Sequence, residues 1–277
     1  MKIRLESVEG RHPRAKPGVP SAIRELNLRL SAGEHVAVIG PSGAGKTTLL
    51  ALMACALKPT SGKVLLNETD PWGLSTRELQ KLRGKLFYAP QTPPLPPRQR
   101  VITALLAGQL PRLSLFQSIS QLIYPRNVDQ VLEALSAFDL AEKLWDRVDR
   151  LSGGERQRVG LGRALMSPSS LWLVDEPLSA LDPKRSRQAI DTLITQAQKR
   201  GVTLVTTLHQ VDVAISRFPR VLGLREGRLV FDLPSAEVSK ERLADLYHQF
   251  EHELAGVAAP VIDLSPIPDS SNRIHCR

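Results

Sequence analysis

Cysteine, aromatic residues and long apolar segments are all scarce in this 277-residue sequence. Its two cysteines, Cys55 and Cys276, make no disulfide framework, which indicates a reducing compartment. Aromatic residues make up only 4%, which gives little support to a surface that stacks nucleic-acid bases. The longest apolar run, residues 49–57, is far shorter than the roughly 20 residues of a membrane-spanning helix. We therefore expect no transmembrane segment, and the lack of an apolar N-terminal stretch predicts no export signal.

The composition is that of a folded protein, but its charge is unevenly distributed. Hydrophobic residues make up 42% and charged residues 23%, which argues against a disordered or fibrous chain. The formal net charge is +9, and residues 77–112, with seven basic and one acidic side chain, contribute +6 of it. Such a segment can bind nucleic acid, acidic lipid or a protein partner near a membrane, or form an ordinary solvated face.

Short apolar strands alternate with helices along most of the chain, which predicts an α/β fold with a parallel sheet. Residues at about 90–160 interrupt this alternation and are predicted to form an inserted helical subdomain. Five prolines between Pro90 and Pro97 exclude a helix from the first part of this segment. Residues 257–277 are rich in proline and serine and are predicted to be disordered. Strands are predicted at 2–7, 26–30, 35–39, 63–66, 85–88, 171–174, 202–206 and 229–231, and helices at 46–57, 76–83, 101–107, 128–138, 153–166 and 182–200.

A glycine-rich loop between a predicted strand and a predicted helix matches the pattern G-x-x-x-x-G-K-[ST]. Glycines let backbone N–H groups turn inward around phosphate oxygens, and the helix N-terminus adds partial positive charge. Lys46 is expected to reach the β- and γ-phosphates, and the Thr47 hydroxyl to bind Mg²⁺. The predicted phosphate-binding residues are Gly40, Pro41, Ser42, Gly43, Ala44, Gly45, Lys46, Thr47 and Thr48.

Two acidic residues follow the apolar segment Leu-Trp-Leu-Val at residues 171–174. An aspartate at a strand end beside a phosphate loop is placed to hold Mg²⁺, so we assign Asp175 that role. Glu176 would then face the γ-phosphate and polarise the attacking water as a general base.

A second possible anion site lies at the start of the helix predicted at residues 153–166. Ser152 is a good N-cap, and Gly153 and Gly154 leave backbone N–H groups open at the helix start. No lysine accompanies this turn, so the turn by itself is equally consistent with an anion site and with an ordinary helix cap.

The phosphate loop, the segment Leu-Ser-Gly-Gly-Glu-Arg-Gln-Arg at 151–158 and the strand ending in Asp175-Glu176 resemble, in order and spacing, the ATP-binding cassette (ABC) ATPases. The resemblance covers residues 1–245, leaving 246–277 as a helix end and tail. It implies that Gln91 contacts Mg²⁺ and links nucleotide to the transport partner, and that His209 contacts the γ-phosphate. It also implies that Asp182 belongs to a loop crossing the dimer. His12 replaces the aromatic residue that usually stacks on adenine and is the candidate for that position.

In this family two chains pack head to tail, with ATP between the phosphate loop of one chain and the Ser152–Gly154 turn of the other. The resemblance therefore implies an ATPase that uses ATP and Mg²⁺, dimerises with a second copy and drives separate membrane permease subunits. A solute-binding protein would act indirectly, and no nucleic-acid partner is expected. The implied location is the cytoplasmic face of the inner membrane.

Two further segments, at residues 105–116 and 207–214, resemble the ATPase subunit of phosphonate importers. The resemblance implies that the chain energises uptake of a phosphonate or a related phosphorus oxyanion. Three alternatives stay open. The chain could assist enzymes that cleave carbon–phosphorus bonds, serve another ABC transporter such as an exporter, or act on DNA or ribosomes.

Overall fold

Two β-sheets form the frame of the computed structural model, which describes residues 1–11 and 20–248 apart from the side chains of residues 122 and 123. The strands are β1 (Ile3–Gly10), β2 (Ile23–Leu30), β3 (His35–Ile39), β4 (Ser61–Leu66), β5 (Leu86–Ala89), β6 (Leu171–Asp175), β7 (Thr203–Thr207), β8 (Arg220–Arg225) and β9 (Arg228–Pro234). The helices are α1 (Lys46–Met53), α2 (Thr76–Arg83), α3 (Val101–Leu106), α4 (Leu115–Ile123), α5 (Val128–Ser136), α6 (Gly153–Met166), α7 (Pro183–Lys199), α8 (Val211–Arg217) and α9 (Lys240–Leu246).

The larger sheet has the strand order β5-β6-β7-β3-β8-β9 and is parallel except at the β8–β9 hairpin. All five residues of β3, β6 and β7 are buried, as expected for central strands that helices cover on both faces. Because these strands are parallel, their carboxyl ends meet at one edge, where ligands bind in open α/β sheets. The register pairs Asp175 with Thr207 at that edge.

The smaller sheet is antiparallel, with the strand order β2-β1-β4. Alternate residues of β1 and β2 are buried, which gives this sheet one face toward the core. Its inward side chains pack in one hydrophobic cluster with α1 and with Val36 and Val38 of β3. The smaller sheet and the phosphate-loop helix are thereby held as one unit.

Helices α3, α4 and α5 lie in sequence between β5 and β6. Leu105 of α3 and Leu135 of α5 are buried with Val159 of α6 in a second hydrophobic cluster, which extends to Trp172 of β6. The inserted helices are therefore connected to the sheet mainly through α6. The predicted fold class, a P-loop α/β core with an N-terminal antiparallel β portion and an inserted helical subdomain, is confirmed.

Several element predictions need correction. Helix α1 ends at Met53 rather than near residue 57, because Cys55 adopts a positive φ of 53° that ends the helix. Strand β8 was not predicted, since arginines at both ends and a central glycine hide its apolar pattern. Helices α4 and α8 were also not predicted. The predicted tail at 257–277 lies outside the described residues, and within the described residues no helix has the length and apolar character to span a bilayer.

Candidate active site

The loop between β3 and α1 has the backbone geometry that its glycines predict. Gly45, the N-cap of α1, has φ +101°, and a Cβ atom there would clash with the carbonyl oxygen of Ala22. Gly43 also has a positive φ, but the space beside it is open. The Lys46 ammonium group is almost fully buried and donates hydrogen bonds to the carbonyl oxygens of Gly40 (2.7 Å) and Pro41 (3.2 Å). The glycines allow the turn of the backbone, and the Lys46 hydrogen bonds hold the loop in a shape that can present its N–H groups to an anion.

A cavity of about 440 Å³ opens directly onto this loop. Three side chains that lie far apart in the sequence, Gln91, Glu176 and His209, meet in its wall. The rest of the lining consists of Ala22, Ser42, Gly43, Ala44, Gly45, Lys46, Thr47 and Thr48. One cavity therefore combines phosphate-loop amides, a lysine and a carboxylate.

Asp175 is buried, with only 1% of its surface exposed, and it does not itself line the cavity. Burial raises the pKa of this carboxyl group above its usual value, although hydrogen bonds from Thr207 and Thr47 act in the opposite direction. The Thr207 hydroxyl donates to Asp175 Oδ1 over 2.6 Å. A buried carboxylate beside a threonine hydroxyl supplies the oxygen ligands that Mg²⁺ prefers. The described part of the chain contains no group of three or more His, Cys, Asp or Glu side chains that could hold a metal ion.

Glu176 is held by two side chains at once. Its Oε1 lies 2.6 Å from Nε2 of His209, and its Oε2 accepts a 2.8 Å hydrogen bond from Nε2 of Gln91. Burial raises the pKa of Glu176, but the hydrogen bond from His209 and the positive charges of His209 and Lys46 outweigh this effect, so its pKa is lowered. Glu176 is therefore ionised at neutral pH and able to accept a proton.

A family model described as ABC transporter matches residues 23–179, a span that includes the phosphate loop, Gln91, the 151–158 segment and the acidic pair. The chain belongs to the ABC transporter family. Like other ATPases of this family it binds ATP and hydrolyses it, as the resemblance implied.

Two phosphonates import ATP-binding proteins resemble this chain over its whole length, and a solved ABC cassette resembles most of it. The phosphonates import ATP-binding protein PhnC 2 of Albidiferax ferrireducens is 60% identical over 277 residues, with all of both chains covered. The phosphonates import ATP-binding protein PhnC of Polaromonas sp. is 57% identical with the same coverage. The dimeric post-hydrolysis structure of the ATP-binding cassette MJ0796, bound to ADP and phosphate, is 26% identical with a TM-score of 0.71. That match covers 84% of this chain and 98% of the solved chain. The predicted resemblance to phosphonate importer ATPases is confirmed.

The Ser152–Gly154 turn of this ABC ATPase lies outside the cavity and is exposed or half-buried. The Ser152 hydroxyl accepts a hydrogen bond from the backbone N–H of Glu155, and the Glu155 carboxylate accepts one from the N–H of Ser152, which forms a capping box. A Cβ on Gly154 would lie 2.9 Å from the carbonyl oxygen of Ala180. The turn therefore packs against the loop that leads to Asp182.

Asp182 also lies apart from the residues that line the cavity. Its carboxylate accepts hydrogen bonds from the backbone N–H groups of Lys184 and Arg185 and so caps α7. His12, the candidate for adenine stacking, lies outside the described residues.

Sequence reasoning missed Thr207 as a functional residue. Its buried hydroxyl accepts a 2.9 Å hydrogen bond from the backbone N–H of Glu176 and donates one to Asp175. One side chain on β7 thus positions both acidic residues at the end of β6. The signal in the sequence is weak: Thr207 directly follows the strand predicted at 202–206 and lies two residues before His209.

We expect the substitution Thr207→Val to impair both stability and catalysis. Valine has nearly the same shape but leaves the N–H of Glu176 and an oxygen of Asp175 without a partner, which costs about 1–3 kcal/mol. Thermal unfolding should shift to lower temperature, and the ATPase rate should fall. Thr207→Ser keeps the hydroxyl group and serves as the matched control. Equal ATPase rates for the valine and serine variants would contradict the positioning role.

Proposed function

We propose that this chain is the ATP-hydrolysing subunit of an ABC importer that takes up a phosphonate or related phosphorus oxyanion through a separate membrane permease. The observation that carries the proposal is full-length identity of 60% and 57% to two proteins named as phosphonates import ATP-binding proteins. Both alignments cover all of this chain and all of the relative.

We propose that the triphosphate lies on the loop from Gly40 to Thr48, with Lys46 as the charged donor. Thr47, Asp175 and Gln91 are the candidates to hold Mg²⁺. The hydrogen bond between Thr47 and Asp175 already brings two of these oxygen donors together. When bound, Mg²⁺ would neutralise the negative charge of the phosphate oxygens.

Glu176 is the proposed general base, and it would accept the proton of the attacking water. His209 and Gln91 hold its carboxylate on the cavity wall beside the phosphate loop. Both side chains are long enough to exchange this contact for one with the γ-phosphate, which would couple the position of the base to the presence of ATP.

We propose a head-to-tail dimer in which Ser152, Gly153 and Gly154 of one copy complete the nucleotide site of the other. The proposal is supported by the exposure of Ser152 and Gly153 and by the absence of all three residues from the lining of the cavity of their own chain. A similar cassette, MJ0796, is dimeric in its structure with ADP and phosphate. Asp182 would lie near the boundary between the two copies, because its loop packs on the same turn.

The proposed partners are membrane permease subunits on the cytoplasmic face of the inner membrane and, indirectly, a solute-binding protein. Gln91 begins the proline-rich segment at residues 91–97, and this segment is mostly exposed. A stiff, extended segment directly joined to a residue of the ATP site suits contact with a permease, because movement at one end is transmitted to the other.

Uptake of a labelled phosphonate by cells that lack this gene tests the proposal. We expect the wild-type gene to restore uptake and the Lys46→Ala variant to fail, because removing a charged donor weakens ATP binding roughly 10- to 100-fold. Lys63→Ala, at an exposed lysine of β4, is the matched control and should restore uptake.

Two outcomes of the uptake experiment would contradict the proposal. Unchanged uptake in the deleted strain, together with loss of growth on phosphonate, would indicate an accessory role in carbon–phosphorus bond cleavage. Normal uptake and normal growth would indicate that this ATPase serves a different transporter or process.

A further inference from the structure

Helix α4 exposes an apolar ridge that neither the fold nor the ATP site uses. Leu115 is 79% exposed, Phe116 81% and Ile119 51%, and Tyr124 just beyond the helix is 72% exposed. Of the eight large hydrophobic side chains exposed within the described residues, five lie between residues 110 and 124. At helical spacing the residues at 115, 116 and 119 share one side of the helix. Such a cluster marks a contact surface.

The polar side of the same helix faces the protein. Gln121 is buried and its amide donates a 3.1 Å hydrogen bond to Gln109, which in turn donates to Gln130 of α5. Gln121 thus attaches helix α4 through an amide network, while Leu115, Phe116 and Ile119 are exposed to solvent. In an ordinary surface helix, apolar side chains that share one side face the core.

The sequence that flanks this ridge is positively charged. No Asp or Glu occurs from residue 79 to residue 128, a span that contains seven basic residues. All seven are exposed, and none forms an ion pair within the described part of the chain. Two of them, Arg112 and Arg126, lie within three residues of the ends of α4. The surface therefore complements a partner that is both negatively charged and apolar.

We propose that α4 lies in the headgroup region of an anionic lipid bilayer, with Leu115, Phe116 and Ile119 inserted and Arg112 and Arg126 bound to lipid phosphates. Guanidinium groups bind phosphate oxygens through paired hydrogen bonds, and aromatic and aliphatic residues partition into the interface. A cavity of about 330 Å³ beside the helix has Phe116 and Arg126 in its lining, whereas Leu115 and Ile119 lie outside it. An exposed apolar ridge flanked by arginines matches the apolar interior and the anionic phosphates of a lipid surface. This contact with the membrane is additional to the permease.

Co-sedimentation of the full-length protein with vesicles tests this inference. We expect binding to vesicles that contain phosphatidylglycerol to be about tenfold or more stronger than binding to pure phosphatidylcholine, and to weaken in high salt. The double substitution Leu115→Ser and Phe116→Ser should reduce binding by roughly tenfold or more, and Arg112→Gln with Arg126→Gln by a similar factor.

Trp145→Ser, at an exposed aromatic residue away from α4 in the sequence, is the matched control and should bind vesicles like the wild type. Unchanged ATPase activity in solution will show that each variant is folded, since none of these residues lines the ATP site. Equal binding to both kinds of vesicle, or equal binding by the serine variant and the wild type, would overturn the inference. Absence of vesicle binding together with retention on the purified permease would instead identify α4 as a protein-binding surface. Neither result bears on the ATPase or on phosphonate uptake.

Discussion

Glu176→Gln should lower the rate of ATP hydrolysis by about 10²–10⁴-fold while leaving ATP binding intact. Glutamine keeps the shape of the side chain and can still contact Gln91 and His209, but its amide cannot accept a proton from water. Because the pKa of Glu176 is lowered, the wild-type carboxylate is already ionised at neutral pH. The substitution therefore removes a base that is ionised in nearly every molecule, so its full contribution to the rate is lost.

The same variant should accumulate as an ATP-bound dimer, since hydrolysis is the step expected to separate the two copies. Size-exclusion chromatography with ATP, together with a phosphate-release assay, measures both effects. Glu237→Gln, the same change at an exposed position, should behave like the wild type. Hydrolysis by the Glu176→Gln variant at the wild-type rate would show that another group activates the water.

Ser152→Arg should abolish ATP-dependent dimerisation and, with it, nearly all hydrolysis. An arginine at the proposed boundary would bring a long charged side chain into a closed contact, at a cost of about 3–5 kcal/mol when it finds no partner. That cost corresponds to a dimer roughly 100- to 4,000-fold weaker. The monomer should stay folded, because losing the hydroxyl cap of α6 costs only about 1 kcal/mol.

Two control variants distinguish an effect on the dimer boundary from the loss of the helix cap of α6. Ser152→Thr keeps a hydroxyl that can accept the N–H of Glu155, so this variant should dimerise. Ser136→Arg places the same charge at an exposed serine at the end of α5 and should also dimerise. An ATP-dependent dimer formed by Ser152→Arg in sizing experiments would remove this turn from the proposed nucleotide site.

Local patterns were enough to predict the central parts of the fold. The buried strands β3 and β6 appear as short, mainly apolar runs and β7 as a β-branched run, and the phosphate loop follows from glycines at positions that require a positive φ. Helix α7 has an aspartate N-cap at Asp182, a proline at its first position and a glycine just beyond its end. These signals depend on a few neighbouring residues, so the sequence displays them directly.

The weaker elements could not be predicted for physical reasons. Strand β8 is stabilised by pairing with β3 and β9, and its own composition gives little indication of a strand. In helix α4, Leu115, Phe116 and Ile119 are exposed and the buried Gln121 joins an amide network, so these positions lack the pattern of a core-facing helix. Only the tertiary contacts explain why either segment adopts its structure.

The sequence by itself determined which chemical groups this protein has: the phosphate loop, the acidic pair and the separate serine–glycine turn. The tertiary structure decided how those groups meet. The hydrogen bond from Gln91 to Glu176 joins residues 85 positions apart, and the one from Thr207 to Asp175 joins residues 32 apart. Such contacts depend on the order of strands in the sheet. That order is fixed by long-range packing, which no local pattern of residues encodes.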